Sequence, residues 1–297
     1  MLIKKILYYL VKSLAELLSY SFFKEIKVIG LQNIPKDKPV ILCGTHNNQF
    51  VDGMMLIITA KRPINFLVAE KSTKQLILGN LLKMMHIVPV TRAIDRKKSG
   101  SGLIQTIDID SLIVRGTDTK FCTEIKVLDS VRIIGVNQEI NLPEVFNFVV
   151  EKIIDDKTIQ IKFNPEEIEN VKKSDIFVNI SETLIQFDSK FLILPKINQK
   201  DVFKETIDTL KENKIIGIFP EGGSHDQTKL LEIKPGACIF AYKFYERTRR
   251  NCLVIPVGIN YFGSHRFRSK VIVNIGKPLD FELKAIKEEQ FKGKILR

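Results

Sequence analysis

Runs of consecutive apolar, largely β-branched residues recur at both ends of this chain, and helical patterns separate several of them. They cover Val40–Cys43, Asn65–Ala69, Ile87–Val90, Lys214–Phe219, Leu253–Val257 and Lys270–Ile275. A strand that is apolar at nearly every position must be covered on both faces, and helices between such strands supply the cover. Helical spacing is read over Gly53–Ala60, over Lys74–Met85 through Leu76, Ile77, Leu81, Leu82 and Met85, and over Ala237–Glu246. The two ends therefore predict one α/β unit with its sheet flanked by helices. From about Ser99 to Lys190 the helical period fades and two-residue alternation takes over, as in Cys122–Val127 and Thr158–Phe163. Asp155-Asp156-Lys157 predicts a hairpin joining Val149–Ile154 to Thr158–Phe163, and Ser99-Gly100-Ser101-Gly102 reads as a flexible entry. The organisation expected is an α/β domain over 25–98 and 191–297, a β-rich insert over 99–190, and an N-terminal segment over 1–24.

Charge narrows the partners. Lys and Arg outnumber Asp and Glu by 46 to 34, a net charge of +12 that attracts nucleic acid, phosphorylated small molecules or an acidic membrane face. No zinc-finger spacing or aromatic RNA-binding signature is present, so nucleic acid is not expected as a partner. Cys43, Cys122, Cys238 and Cys252 lie far apart without a C-x-x-C pair, which suits a reducing compartment and no metal site.

Residues 1–24 are rich in Leu, Ile, Tyr and Phe, but their longest unbroken apolar run, Ile6–Val11, is far short of the ~20 residues of a spanning helix. On a helical wheel Lys5, Lys12, Glu16 and Ser19 form one narrow stripe with Leu and Tyr over the rest. That pattern fits an amphipathic helix lying in a membrane interface. A helix packed on the domain's own core is the other reading.

Two short segments can carry chemistry. In Gly44-Thr45-His46-Asn47-Asn48-Gln49-Phe50-Val51-Asp52-Gly53, a strand-to-helix junction exposes a base and a carboxylate able to orient it. For the two to meet, the intervening loop must curl back. In Phe219-Pro220-Glu221-Gly222-Gly223-Ser224, glycines after another strand let the backbone approach an anion closely. Glu221 is expected to hold an acceptor hydroxyl and Ser224 to donate to a phosphate. Arg92, after Val88-Pro89-Val90-Thr91, adds a planar fork suited to a phosphate monoester.

The order His46…Asp52, Val88-Pro89-Val90-Thr91-Arg92, Phe219-Pro220-Glu221-Gly222 and Val254-Ile255-Pro256-Val257 resembles the four blocks of the glycerolipid acyltransferases. Asn48–Asp52, Phe219–Asp226, Asn260-Tyr261-Phe262 and Phe267-Arg268-Ser269 look like the fungal-type glycerol-3-phosphate or dihydroxyacetone-phosphate branch. The resemblance implies an acyltransferase domain with a central mixed sheet. It implies His46 as general base, Asp52 as its orienter, and Arg92 with Glu221, Gly222, Gly223 and Ser224 as the acceptor-phosphate site. It implies acyl transfer from acyl-CoA, as co-substrate and with no cofactor, to the sn-1 hydroxyl of glycerol 3-phosphate or dihydroxyacetone phosphate. The setting implied is the cytosolic face of the endoplasmic reticulum, with membrane lipids as partners.

Departures from the pattern are the one extra residue between His46 and Asp52, His86 in place of Gly, and Pro89 in place of Phe. The chain also stops soon after the last block, short of the C-terminal extension the branch implies, as a compact version or a fragment would. The rival readings are a lysophosphatidate acyltransferase, a non-catalytic basic membrane-binding module, and a serine hydrolase. For the last, Ser224 stands in a faint nucleophile elbow, but Asp226 occupies the place of the elbow's last glycine.

Overall fold

Each apolar run at the two ends of the chain becomes a strand of one sheet. The computed structural model describes residues 2–48, 50–85, 87–134, 145–162, 184–224, 229–231, 233–263 and 265–279. Chain contacts divide it into two compact units, Met1–Val90 with Gln199–Leu296, and Thr91–Asn198.

The first unit opens with helix α1 (Leu2–Phe22) and strand β1 (Glu25–Ile29), followed by β2 (Val40–Gly44) and α2 (Val51–Thr59). Next come β3 (Ile64–Ala69), the short α3 (Glu70–Thr73), α4 (Leu76–Met84) and β4 (Ile87–Val90). The second unit contributes β5 (Lys98–Ser99), β6 (Leu103–Asp108), β7 (Ile113–Thr117), α5 (Phe121–Glu124) and β8 (Ser130–Ile134). It continues through β9 (Val145–Asp155), β10 (Thr158–Lys162), β11 (Leu184–Ser189) and β12 (Phe191–Leu194). The chain then returns to the first unit with α6 (Lys200–Lys211), β13 (Ile215–Ile218), α7 (Gly236–Thr248), β14 (Leu253–Phe262) and β15 (Lys270–Ile275).

Among the described residues the first unit's sheet has seven strands in the order β1-β15-β14-β2-β13-β3-β4. It is mixed: β14 and β15 pair antiparallel, and every other neighbouring pair is parallel. Successive strand residues serve opposite faces. Val40 and Leu42 pack with Met55, Leu56 and Ile64 beneath α1 and α2. Ile41, between them, packs with Ile207, Leu210, Phe240 and Phe244 of α6 and α7. Both faces of β2 are thus dry, which explains why its sequence is apolar at every position but the last.

Helix α1 sits the opposite way round from a helix whose polar stripe meets water. Tyr8, Val11, Ala15 and Ser19 are buried, the Tyr8 hydroxyl accepts from the Ile64 amide at 3.2 Å, and Lys12 Nζ donates to the Ala60 carbonyl at 3.2 Å. Ile3, Ile6, Leu10, Leu14 and Leu17 face outward. Among the described residues no helix is long and apolar enough to cross a membrane.

In the second unit all eight strands pair antiparallel, in the order β11-β6-β7-β10-β9-β8-β12-β5. Ile104, Ile107, Val114, Val131, Phe148 and Ile161 form its core. The hairpin at Asp155-Asp156-Lys157 is present, with the Lys157 amide donating to Asp155 Oδ1 at 2.7 Å, an Asx turn. One expectation fails. Cys122–Val127 is not a strand, because α5 covers Phe121–Glu124. Phe121 is fully buried in the core, and Cys122 donates its amide to Asp156 Oδ1 at 3.0 Å. Anchored against the hairpin turn, this segment satisfies its backbone without a ladder. Phe163, His86, His225 and Asp226 lie outside the described residues.

Candidate active site

Three strands set the geometry. β2 lies between β13 and β14, both parallel to it, with Ile218 opposite Cys43 and Val257 opposite Gly44. Whatever follows β2 and β13 therefore emerges at one carboxyl edge, the place where open α/β sheets bind ligands. His46 follows β2 by two residues, and Phe219-Pro220-Glu221 follows β13.

The edge is tied together by hydrogen bonds. The Thr45 amide donates to the Val257 carbonyl at 3.0 Å, and Thr45 Oγ1 accepts from the Ile259 amide at 3.0 Å. Glu221, only 4% exposed, accepts the His46 amide on Oε1 at 2.8 Å and the Leu231 amide on Oε2 at 3.2 Å. Gly44 makes room for Phe219: a Cβ there would lie 2.8 Å from the Phe219 ring. That ring stacks on the His46 imidazole, centroids 4.2 Å apart and 14° from parallel.

His46 and Asp52 meet. Asn48 caps the start of α2, its Oδ1 accepting the Phe50 and Val51 amides at 3.1 Å each. Asp52 consequently stands in the first turn of the helix, where the dipole favours a carboxylate. It is fully buried, and its Oδ2 lies 3.1 Å from His46 Nδ1 and accepts the Asn48 amide at 2.7 Å. A carboxylate only accepts, so the hydrogen between Asp52 and the imidazole resides on Nδ1. In the neutral imidazole this tautomer leaves the Nε2 lone pair as the acceptor, and the side chain is 12% exposed.

A third residue joins them that sequence reasoning did not assign a role. The Tyr261 hydroxyl donates to Asp52 Oδ1 at 2.6 Å. Burial first, and the Asp52 carboxylate second, push this phenol well above its ordinary value, so it remains a donor. Tyr261 reaches the site because β14 extends past the end of β2, paired there with β15 through Tyr261↔Val271. The signal available beforehand was the Asn260-Tyr261-Phe262 likeness, which names no partner for the hydroxyl.

The other expected residues divide. Gly222 has φ 76, a conformation that disfavours any side chain. The Lys234 side chain lies across it, with Nζ 2.7 Å from where a Cβ would be. Lys234 is a cation beside the glycine turn that no motif announced. Gly223 and Ser224 are exposed on the same turn. Glu221, expected to hold an acceptor hydroxyl, accepts two backbone amides, those of His46 and Leu231, and so ties the His46 loop to its own turn. Arg92, expected to hold a phosphate, belongs to the second unit and grips Asp95 bidentately at 2.8 and 2.9 Å. That carboxylate raises the guanidinium's pKa and takes the Nε–Nη2 side of its fork. Among the described residues no cluster of His, Cys, Asp and Glu is arranged to hold a metal ion.

Comparison with known sequences identifies the family. The profile of the family described as "Acyltransferase" matches residues 25–114 and 169–260, more than half the chain, and takes in His46, Asp52, Arg92 and the Glu221 turn. The chain belongs to the acyltransferase family. Between its two matched segments, this acyltransferase carries 115–168, which falls within the second unit. It is 32% identical over 283 residues to glycerol-3-phosphate O-acyltransferase 1 of Saccharomyces cerevisiae, covering 93% of this chain and 35% of the yeast protein. Against glycerol-3-phosphate O-acyltransferase 2 of the same yeast the identity is 28%, over 87% of this chain and 36% of that one. An uncharacterised acyltransferase of Schizosaccharomyces pombe is 30% identical, over 92% of this chain and 38% of its own length. The acyltransferase thus spans about a third of each of these relatives. Among solved structures, the 1-acyl-sn-glycerophosphate (LPA) acyltransferase PlsC of Thermotoga maritima aligns with TM-score 0.47 and 14% identity, over 99% of this chain and 76% of that chain.

Proposed function

We propose that this acyltransferase moves a fatty acyl group from acyl-CoA to the sn-1 hydroxyl of glycerol 3-phosphate or dihydroxyacetone phosphate. The observation that carries the reading is the His46 imidazole, directed through Nδ1 by a buried carboxylate at the carboxyl edge of a parallel sheet. His46 Nε2 takes the hydroxyl proton as the oxygen attacks the thioester carbonyl. The tetrahedral oxyanion then collapses, expelling CoA as its thiolate, which recovers the proton from the imidazolium. Direct activation of the acceptor needs no acyl-enzyme, and Ser224 has no part as a nucleophile. The names of the yeast relatives support glycerol 3-phosphate as acceptor. The charge of +12 suits two phosphorylated substrates. For the acceptor phosphate, the Gly222–Ser224 turn with Lys234 is the surface already presented. We place the reaction at a membrane, on the cytosolic face of the endoplasmic reticulum. The outward apolar face of α1 and a water-insoluble product support that setting.

The deciding assay offers labelled acyl-CoA with glycerol 3-phosphate, dihydroxyacetone phosphate and lysophosphatidate separately, and identifies the product. Incorporation into the first two is the expected outcome. Incorporation with lysophosphatidate alone overturns the acceptor assignment, and none with any acceptor leaves a basic binding module.

Tyr261 is the positioning residue in this scheme, since it touches Asp52 and not the substrate. Tyr261→Phe removes a charge-assisted hydrogen bond to a buried carboxylate, an interaction of about 1.5–3 kcal/mol. The expected result is a kcat roughly tenfold or more lower, with KM for both substrates little changed. An unchanged kcat, measured under saturating acyl-CoA, would remove Tyr261 from the mechanism.

A further inference from the structure

The outward face of α1 does not end with the helix. Leu10, Leu14, Leu17 and Leu18 are exposed along it, and Leu14, Leu18 and Phe22 follow one another at the four-residue spacing that aligns side chains on one side. Phe22 then meets the ring of Phe267 edge-on, centroids 5.8 Å apart. Phe267 belongs to the turn after β14 and is 69% exposed, and Phe262, at the end of β14, is exposed as well. Backbone bonds join this turn to the end of α1: the Arg268 amide donates to the Phe22 carbonyl and the Lys24 amide to the Ser269 carbonyl, both at 2.8 Å.

Lys24, Arg266 and Arg268 surround the aromatic tip and are exposed. None of the three is in an ion pair among the described residues. An apolar strip that the described residues leave uncovered, ending in solvated aromatic rings beside cations without an ion pair among those residues, complements a lipid surface with anionic headgroups.

We propose that the turn carrying Phe267, Arg266 and Arg268 is a second membrane anchor, forming with the outer face of α1 one docking surface for an anionic bilayer. This rests on the membrane setting proposed above and adds a place and a headgroup charge to it. The surface adjoins the chemistry through ring contacts. Phe22 packs on Phe23 at 5.0 Å and Phe23 stacks on Tyr261 at 6.0 Å, which bonds Asp52. Docking there holds the His46 edge close to the headgroups, where an acylated product must leave.

The test uses the full chain in co-sedimentation with vesicles of phosphatidylcholine alone and of phosphatidylcholine mixed with phosphatidylserine. Wild type is expected to bind the mixed vesicles more tightly, with the difference shrinking as salt rises. Phe267→Ala is expected to weaken binding to both by roughly tenfold. Arg266→Ala with Arg268→Ala is expected to abolish most of the phosphatidylserine preference, at roughly fivefold per cation. Leu10→Glu with Leu14→Glu serves as the comparison on α1. If that variant is released while the Phe267 and Arg variants bind like wild type, the second anchor is wrong and the membrane setting stands. If wild type binds neither vesicle and sediments as a dimer, a second copy covers the face and both ideas fall.

Discussion

Under the proposed mechanism, replacing His46 with alanine is expected to lower kcat for acyl transfer by about a thousandfold, the scale of a general base lost from a site that keeps its other parts. The substitution leaves those parts in place. The residue's amide still donates to Glu221, and Asp52 still accepts from Asn48 and Tyr261. What disappears is the imidazole proposed to take the alcohol proton, together with its stacking on Phe219. KM for acyl-CoA is expected to change little, because in the proposed mechanism the imidazole acts on the acceptor hydroxyl. Steady-state kinetics over a range of both substrates, with thermal unfolding as a control, separates this from a folding defect. A variant within tenfold of wild-type kcat and with unchanged melting places the base elsewhere.

How much of this could be read beforehand depended on whether a residue's role was local. The strand Val40–Gly44 announces itself because both faces are covered, so each residue had to be apolar or nearly so. The His46–Asp52 pair was legible for a similar reason: partners six residues apart across one strand-to-helix turn have few ways to be arranged. β14 was read as stopping at Val257, where its apolar run ends, yet it continues to Phe262 because β15 supplies a ladder and Thr45 takes up the Ile259 amide. Tyr261 lies in that hidden extension, 209 positions from Asp52, and no local pattern joins the two. Strand β1 was missed because only alternate residues of it are covered.

Glu221 and Arg92 show the limit from the other direction. Their chemistry was correctly seen as scarce, an acid after a glycine-prone strand end and a planar cation after another. Their partners could not be read from the sequence. Glu221 found two amides, and Arg92 found Asp95 three residues on, a carboxylate that competes for the geometry a phosphate would use. Helix α1 left two readings open, a membrane interface or the domain's own core, for a comparable reason. Lys12 reaches a carbonyl at the end of α2 and Ser19 is buried, so much of the narrow polar stripe faces the body while several leucines face outward.

Asp52→Asn is the more revealing second substitution, because the replacement is nearly isosteric and wrong in a specific way. Three donors converge on the carboxylate: His46 Nδ1–H and the Asn48 amide on Oδ2, and the Tyr261 hydroxyl on Oδ1. An amide side chain offers one acceptor and one donor. If its oxygen serves Asn48, its NH2 confronts Tyr261, and the phenol must turn its proton away in a buried site. If it flips, the NH2 faces both the Asn48 amide and the imidazole, which then favours the other tautomer and carries its proton on Nε2, where a base must have none. Either arrangement leaves a buried group badly paired, at about 1–3 kcal/mol of stability. The expected loss of kcat is roughly a hundredfold to ten-thousandfold. Adding Tyr261→Phe to Asp52→Asn is expected to cost far less than it does in wild type, since the bond it removes is already spoiled, and such coupling is what a double-mutant cycle measures. Independent, additive losses in the cycle would mean that Tyr261 and His46 do not communicate through Asp52, and the three-residue arrangement would then be a packing coincidence and not a relay of orientation.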